Sequence, residues 1–153
     1  IGNGQFLMIE QGKQHGEMQN LIYKVDLNGA TPIPDNGDLE YGRLDGKIVP
    51  AKKELVLDLR AQGWNIEKAE GLALLPDRKT IAVVNDNDFG MDIDVKDPAV
   101  ADPEVSDYTY DSDKKAMIYD KDNKVHDVKI SLKKNAPAEQ ESQIWFFTLP
   151  KAL

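Results

Sequence analysis

The feature that most constrains this chain is a pair of apolar runs joined by a short turn and followed by polar residues. The first run covers residues 72–75 and the second covers residues 80–84. Between them, Pro76 fixes its own φ and Asp77 can accept a hydrogen bond from the backbone two residues on, so these residues predict a turn. Uninterrupted apolar runs indicate strands that are covered on both faces. The segment therefore predicts a buried β-hairpin inside layered sheets.

Four consecutive side chains that carry oxygen atoms follow the second run. Rigid strand ends hold such side chains in a fixed frame, which is how proteins build sites for hard cations or polar ligands. We expect a metal site here, with calcium as the cofactor, and the alternative is a set of solvated turn residues that cap the strand end. The predicted metal ligands are Asn85, Asp86, Asn87 and Asp88.

The rest of the chain has the pattern of an all-β protein. In residues 125–132, apolar and charged side chains alternate, which predicts a half-buried strand. Helix is expected only in short pieces, at residues 52–54 and 61–68, and Trp64 is expected to pack in the core. The predicted strands lie near residues 5–10, 20–27, 54–59, 70–75, 80–85, 115–120, 125–132 and 143–149.

Composition excludes several classes of function. The net charge of −8 leaves no excess of lysine and arginine to neutralise phosphates, which argues against nucleic acid as a partner. No apolar run approaches the roughly 20 residues that cross a bilayer, so we expect no membrane span. The chain has no cysteine, which excludes disulfides, thiolate zinc sites and a cysteine nucleophile.

Residues 91–114 form an unusually acidic segment that also contains two prolines. Like charges at this density repel one another, so we predict an acidic loop insertion that is extended unless a cation or a basic partner neutralises it. Asp92 and Asp94 are further metal candidates, although their spacing does not follow the EF-hand order. The alternatives are a solvated acidic lid and a dedicated metal loop.

A serine hydrolase is not indicated. The serines have no flanking glycines of the kind found in a nucleophile elbow, and the two histidines, His15 and His126, lie far apart in the sequence. His15 lies in a polar loop between the first two predicted strands, where it is either a general acid or a solvent-exposed residue.

Several of these segments resemble one protein family. Glu-Gly-Leu-Ala at 70–73, the Pro-Asp turn, and Asn-Asp-Asn-Asp-Phe-Gly at 85–90 resemble the signature of the esterase-like-activity-of-phytase family, which is similar to secreted β-propeller phosphohydrolases. Residues 6–10 and 22–31 resemble that family's paired strands with an Asp-Leu-x-Gly-Ala-Thr turn. The resemblance covers about residues 5–90 and fades after Gly90.

The resemblance implies a periplasmic or secreted hydrolase that acts on a small-molecule ester of phosphoric or carboxylic acid and depends on a metal ion. Glu70 and Asp86 would be its catalytic residues, and Glu10, at the end of the first strand, is another candidate. The family commonly has an arginine after this glutamate, whereas this chain has Gln11, so a cation expected to face the phosphate is absent. The alternative function is a non-catalytic binding module with a structural cation.

Length bears on the fold. A propeller blade takes roughly 40–45 residues and a closed ring needs about four blades, so 153 residues supply about three. We therefore predict a single phytase-like domain over residues 1–153, either as an incomplete β-propeller or as a small β-sandwich. The uncovered sheet edges would be paired in a homo-oligomer or by missing amino-terminal blades. Because the first residue is Ile1, we expect a processed or truncated chain.

Overall fold

The computed structural model describes residues 1–32 and 48–153. These residues form an all-β protein with four antiparallel sheets and short 3-10 turns, without an α-helix, which confirms the predicted fold class. None of the sheets that they form closes into a barrel. The strands are β1 (Gln5–Gln14), β2 (Glu17–Asp26), β3 (Lys52–Asp58), β4 (Gly71–Leu74), β5 (Thr80–Val84), β6 (Met91–Lys96), β7 (Tyr108–Asp111), β8 (Ala116–Tyr119), β9 (Lys124–His126), β10 (Lys129–Lys134) and β11 (Ile144–Thr148).

The chain folds into two compact units. The first unit contains Ile1–Asp86 and Ser142–Leu153, and the second contains Asn87–Glu141. β5 and β11 belong to the same sheet of the first unit and pair directly, with Val84 opposite Ile144. The second unit is therefore an insertion between two neighbouring strands of the first.

The first unit consists of two three-stranded sheets that share one hydrophobic core. Their strand orders are β1-β2-β3 and β11-β5-β4. Ile22 comes from the first sheet and Ile81 and Val83 from the second, and all three are fully buried in this core. Trp64 is 1% exposed and its ring meets that of Trp145 edge-on, with centroids 5.5 Å apart. The expectation that Trp64 packs in the core is confirmed.

The predicted hairpin is formed by β4 and β5. Asp77 closes its turn, because one carboxylate oxygen accepts the N–H groups of Lys79 and Thr80 at 2.9 and 2.8 Å, and the other accepts the Thr80 hydroxyl at 2.6 Å. Ala82, between Ile81 and Val83, is also buried. β5 is thus covered on both faces, as its uninterrupted apolar run predicts.

The second unit contains the ribbon β10-β6 and the sheet β7-β8-β9. Residues 125–132 do not form the single half-buried strand that was predicted. Their two ends belong to β9 and β10, which pair with β8 and β6 respectively, and Ile130 and Leu132 are 51% and 69% exposed. The alternation is real, but a pattern along one strand does not reveal whether its unit provides a second layer to cover the apolar side.

The acidic segment 91–114 contains two strands, β6 and β7, rather than one continuous loop. Lysines offset part of its charge, since Lys133 lies 3.2 Å from Asp92 and Lys96 lies 3.2 Å from Asp94. The two short helices predicted at 52–54 and 61–68 are not formed. Residues 52–54 begin β3, and a 3-10 turn at Arg60–Gln62 is the only helical turn near the second position in the described chain.

Candidate functional site

The first sheet carries polar residues where its third strand ends. Gln11 of β1 lies opposite Asn20 of β2. Leu21, the next residue of β2, pairs with Asp58 at the end of β3, and Arg60 follows two residues later. The end of β3 therefore brings a guanidinium beside the middle of the β1–β2 hairpin, where Gln11 and Asn20 provide two amides.

The second sheet also ends in polar residues. Glu70 precedes β4, and its N–H donates to the carbonyl of Val84 at the end of β5 (3.0 Å). Asn85 and Asp86 follow β5 directly. Gln143 precedes β11 and hydrogen-bonds to Asn85, so the three strand ends lie side by side.

The segment before β4 joins the two groups. Asn20 donates through Nδ2 to the carbonyl of Glu67 at 2.8 Å, and the Ala69 N–H donates to Oε1 of Gln11 at 2.8 Å. These bonds connect the middle of the β1–β2 hairpin to the residues that lead into Glu70. We call the resulting surface the polar edge; it consists of Gln11, Asn20, Arg60, Glu70, Asn85 and Asp86.

Asn20 is the centre of this surface. It is fully buried, and besides its bond to Glu67 it donates to Gln11 Oε1 at 3.4 Å and accepts from Arg60 Nε at 2.8 Å. Buried polar groups with all partners in place hold one arrangement, because losing a partner would leave a desolvated group unpaired. Asn20 therefore fixes Gln11 and Arg60 relative to each other.

Glu70 presents its carboxylate outward. The residue is exposed, and its side chain has no hydrogen bond or ion pair with the residues that the structure describes. Gly71 allows β4 to approach β5 closely here, since a Cβ atom on it would lie only 3.0 Å from the Cβ of Val84. The backbone on both sides of Glu70 is thus tightly held while its carboxylate faces solvent.

Asn85 is 6% exposed and has a structural contact. Its Oδ1 accepts the N–H of Gln143 at 2.6 Å, and its own N–H donates to the Gln143 carbonyl at 3.3 Å. This oxygen, which the sequence indicated as a metal ligand, is directed at the backbone N–H of Gln143, the residue before β11. The bonds position Asp86, the exposed residue that follows.

Asn87 and Asp88 belong to the second unit. The side chain of Asn87 donates to the carbonyl of Gln140 at 3.2 Å. Asp88 and Phe89 both have left-handed backbones, with φ of 48° and 58°, which costs a non-glycine residue roughly 1–2 kcal/mol. Phe89 is 98% exposed. Strain of this kind is concentrated at functional positions.

The described residues contain no group of three or more histidine, aspartate or glutamate side chains placed to share a metal ion. The remaining candidates have other surroundings. Glu10 lies beside Gln11 in the chain but pairs with Lys53 at 2.6 Å, and His15 is exposed at the tip of the β1–β2 hairpin. Asp92 and Asp94 contact the lysines described above. The assignment of these residues to a site stays a prediction.

A second cluster of ionisable groups lies inside the second unit. The imidazole of His126 contacts Asp97 through Nδ1 at 2.5 Å and Asp122 through Nε2 at 3.2 Å, and Tyr108 donates its hydroxyl to Asp97 at 2.8 Å. Both carboxylates raise the pKa of His126. Burial, together with the bond to Asp97, raises the pKa of Tyr108 to about 12. Both ring nitrogens of His126 are engaged, so the cluster acts as a structural bridge.

The pKa values of the two carboxylates are lowered. Burial acts to raise them, but hydrogen bonds outweigh it: the bonds from the Ala99 N–H, His126 and Tyr108 at Asp97, and those from His126 and the Lys124 N–H at Asp122. The ionised carboxylates and the protonated imidazole therefore stabilise one another.

Sequence reasoning did not identify Asn20 and Arg60 as site residues. Arg60 comes directly after the predicted strand at residues 54–59. A charged residue at that place is the same strand-end signal that indicated Asp86. Asn20 gave no comparable signal, since its role depends on contacts with residues 40 and 47 positions away.

The fold and the polar edge together define an all-β protein with two packed sheets. The carboxylates of Glu70 and Asp86 and the guanidinium of Arg60 lie next to strand ends of these sheets. A family model described as Phytase-like, esterase-like activity of phytase, matches residues 1–89, which is more than half of the chain. The chain belongs to this family, and the family's description points to esterase-like or phosphatase-like chemistry. No curated protein and no solved structure matches the chain. In the part of the chain that the structure describes, no helix has the length and apolarity to cross a membrane.

Proposed function

We propose that this protein hydrolyses small esters of phosphoric or carboxylic acids at the polar edge of its first unit. The observation that supports the proposal is the meeting of four strand ends, those of β3, β4, β5 and β11, beside the middle of the β1–β2 hairpin. This arrangement holds an unpaired Glu70 carboxylate, Asp86 and a partly exposed Arg60 on one side of two sheets. The family match covers all of these residues.

In the proposed reaction, a water molecule attacks the phosphorus or carbonyl carbon of the ester. Glu70 accepts a proton from this water, the bond to the leaving alcohol oxygen breaks, and that oxygen takes up the proton from Glu70, which restores the carboxylate. Asp86 orients the water and stabilises the positive charge that develops on the water oxygen as it attacks. A carboxylate that has no protein partner, as at Glu70, is free to serve as the base.

Calcium is the proposed cofactor, and it would compensate negative charge on the ester oxygens when bound. The described side chains do not fit a complete site, because they include no suitable group of three ligands and the Asn85 oxygen is engaged by Gln143. We therefore derive no step through the ion. If calcium binds the folded protein, its addition should raise the melting temperature, and a chelator should reverse that rise.

The direct test of the hydrolase is turnover of an aryl phosphate and an aryl carboxylic ester. Glu70→Gln keeps the size of the side chain but removes the base, so kcat should fall by roughly 10²–10⁴-fold, and Asp86→Asn should also lower it. Glu54→Gln, an exposed carboxylate of β3, is the matched control and should leave kcat unchanged. Equal activity in the wild type and Glu70→Gln would refute the assignment.

The second candidate function is a binding module without turnover. Asn20 and its partners favour this function, because they form a rigid, hydrogen-bonding surface that could bind a ligand without a reaction. The same assays distinguish the two functions, since a binding module would bind ester analogues or their product anions and release no alcohol.

Localisation and assembly are also proposals. We propose a periplasmic or secreted protein, in keeping with the family resemblance. Association with further sheets, from a second copy or from amino-terminal blades, is supported by exposed apolar side chains on the first unit: Phe6 and Leu55 are both 52% exposed, and Phe146 is 60% exposed. Sedimentation of the purified chain tests self-association.

A further inference from the structure

Arg60 is held in place by neutral groups alone. Its Nε donates to Asn20 Oδ1 at 2.8 Å and its Nη1 donates to the carbonyl of Trp64 at 3.3 Å. A guanidinium has five N–H donors, so three are left after these contacts. Arg60 has no carboxylate partner among the described residues. Its charge is therefore not neutralised by the protein, although the chain as a whole carries a net charge of −8.

Gln11 adds neutral donors beside the same amide. Its Oε1 accepts the backbone N–H of Ala69 at 2.8 Å, which fixes the orientation of the amide, because a backbone N–H can only donate. The Nε2 group of Gln11 is therefore on the other side, where it has two N–H donors and no acceptor in the described chain. Gln11 and Arg60 both contact Asn20, so their unused donors belong to one rigid framework.

We propose that Arg60, with the Gln11 amide beside it, binds an oxyanion at the polar edge, and that this oxyanion is the phosphate or carboxylate group of the ester or its product. A planar guanidinium binds such groups through paired N–H donors. Fixing the side chain in advance removes part of the entropy cost of binding. Arg60, just after the end of β3, thus provides the positive charge that the family's arginine would supply at position 11. The identity of the ligand rests on the proposed hydrolase, whereas the binding itself does not.

The test is a titration of the full chain with inorganic phosphate, followed by the Nε–H resonance of Arg60 and the side-chain amide resonance of Asn20. Both should shift and saturate in the wild type. Arg60→Gln should bind phosphate at least about tenfold more weakly, because a charged hydrogen-bond donor is lost. Arg60→Lys keeps the charge but loses the paired N–H donors of the guanidinium, so its phosphate affinity should lie between those of the wild type and Arg60→Gln. A parallel titration with acetate determines which anion is preferred, and either preference fits the proposal.

Arg78→Gln is the matched control. Arg78 is also held by neutral acceptors, the carbonyls of Leu153 and Ile1, but it follows the Pro76–Asp77 turn, at the opposite end of β4 and β5 from Glu70 and Asp86. Its replacement removes the same charge and should leave phosphate binding unchanged. Equal phosphate affinity in the wild type and Arg60→Gln would overturn the proposal. If Arg60→Gln does not fold, a wild-type Arg60 Nε–H resonance that stays fixed during the titration would overturn it as well.

The outcomes separate this inference from the hydrolase. Phosphate binding that depends on Arg60, without turnover of either ester, would refute only the hydrolase. Turnover that depends on Glu70, with equal phosphate affinity in wild type and Arg60→Gln, would refute only the role of Arg60.

Discussion

The glycine that follows Glu70 determines how closely β4 and β5 approach each other. Gly71 has an ordinary backbone conformation, so it is required for space and not for a left-handed φ. A methyl group at this position would meet the Cβ of Val84 at 3.0 Å and its γ-methyl at 3.5 Å. Because Glu70 precedes it, crowding at Gly71 also moves the carboxylate that the proposed reaction needs.

We predict that Gly71→Ala lowers the free energy of unfolding by about 1–3 kcal/mol, as overpacking usually does. Val84→Gly removes the Cβ that the new methyl group would meet, so the double variant should lose less stability than the sum of the two single variants. Chemical denaturation followed by tryptophan fluorescence measures all three. Additive losses, within about 0.5 kcal/mol, would show that the two residues do not compete for space.

The bridge centred on His126 connects elements of the second unit. His126 ends β9, Asp97 follows β6, and Asp122 lies in the β8–β9 turn, while the rings of Tyr108 and Tyr119 pack against the imidazole. Because the pKa of His126 is raised from 6.5, its contribution to stability is complete below about pH 6.5 and is lost as the pH rises through the raised value. The lowered pKa values of Asp97 and Asp122 give a contribution that is present above 3.8 and lost as the pH falls.

We therefore predict that the second unit is most stable between about pH 4 and pH 6.5 and loses stability as the pH rises through the raised pKa of His126. His126→Gln should remove most of this alkaline loss. His15→Gln replaces the only other histidine, which is exposed in the first unit, and should leave the profile unchanged. Amide hydrogen exchange in β8 and β9, corrected for intrinsic rates, follows the unit directly. A flat wild-type profile over this range would contradict the prediction.

The contrast between β5 and β10 explains how much the sequence could predict. The run from Ile81 to Val83 has no polar residue, so it required cover on both faces, and the structure provides it. The alternation around Ile130 specified only a strand with one apolar and one polar side. Its strand, β10, pairs with β6, which was not predicted because it lies in the acidic segment. In the candidate site, the charged residues at strand ends were visible in the sequence, but the bonds of Asn20 to Arg60 and to Glu67 were not, because they join residues 40 and 47 positions apart.

At the scale of the whole molecule, the insertion should be removable. Asn85 and Gln143 hydrogen-bond to each other across the two connections, and a hairpin loop of about 2–5 residues can join antiparallel strands. We predict that replacing residues 87–141 with a short glycine-containing turn leaves the first unit folded.

Both tryptophans, Trp64 and Trp145, lie in the first unit, so their fluorescence reports its folding alone. The shortened chain should unfold cooperatively from a native-like emission maximum. The same deletion with Val83→Asp in the core serves as an unfolded reference. An emission spectrum equal to that reference would show that the first unit depends on the insertion.

The insertion also fixes an order of events during synthesis. Val84 pairs with a residue that the ribosome adds sixty positions later, at Ile144. Until then, β5 is part of a nascent chain with one open hydrogen-bonding edge and apolar side chains, which is the kind of surface that aggregates. The speed at which the second unit is translated and collapses therefore determines how long that edge stays exposed.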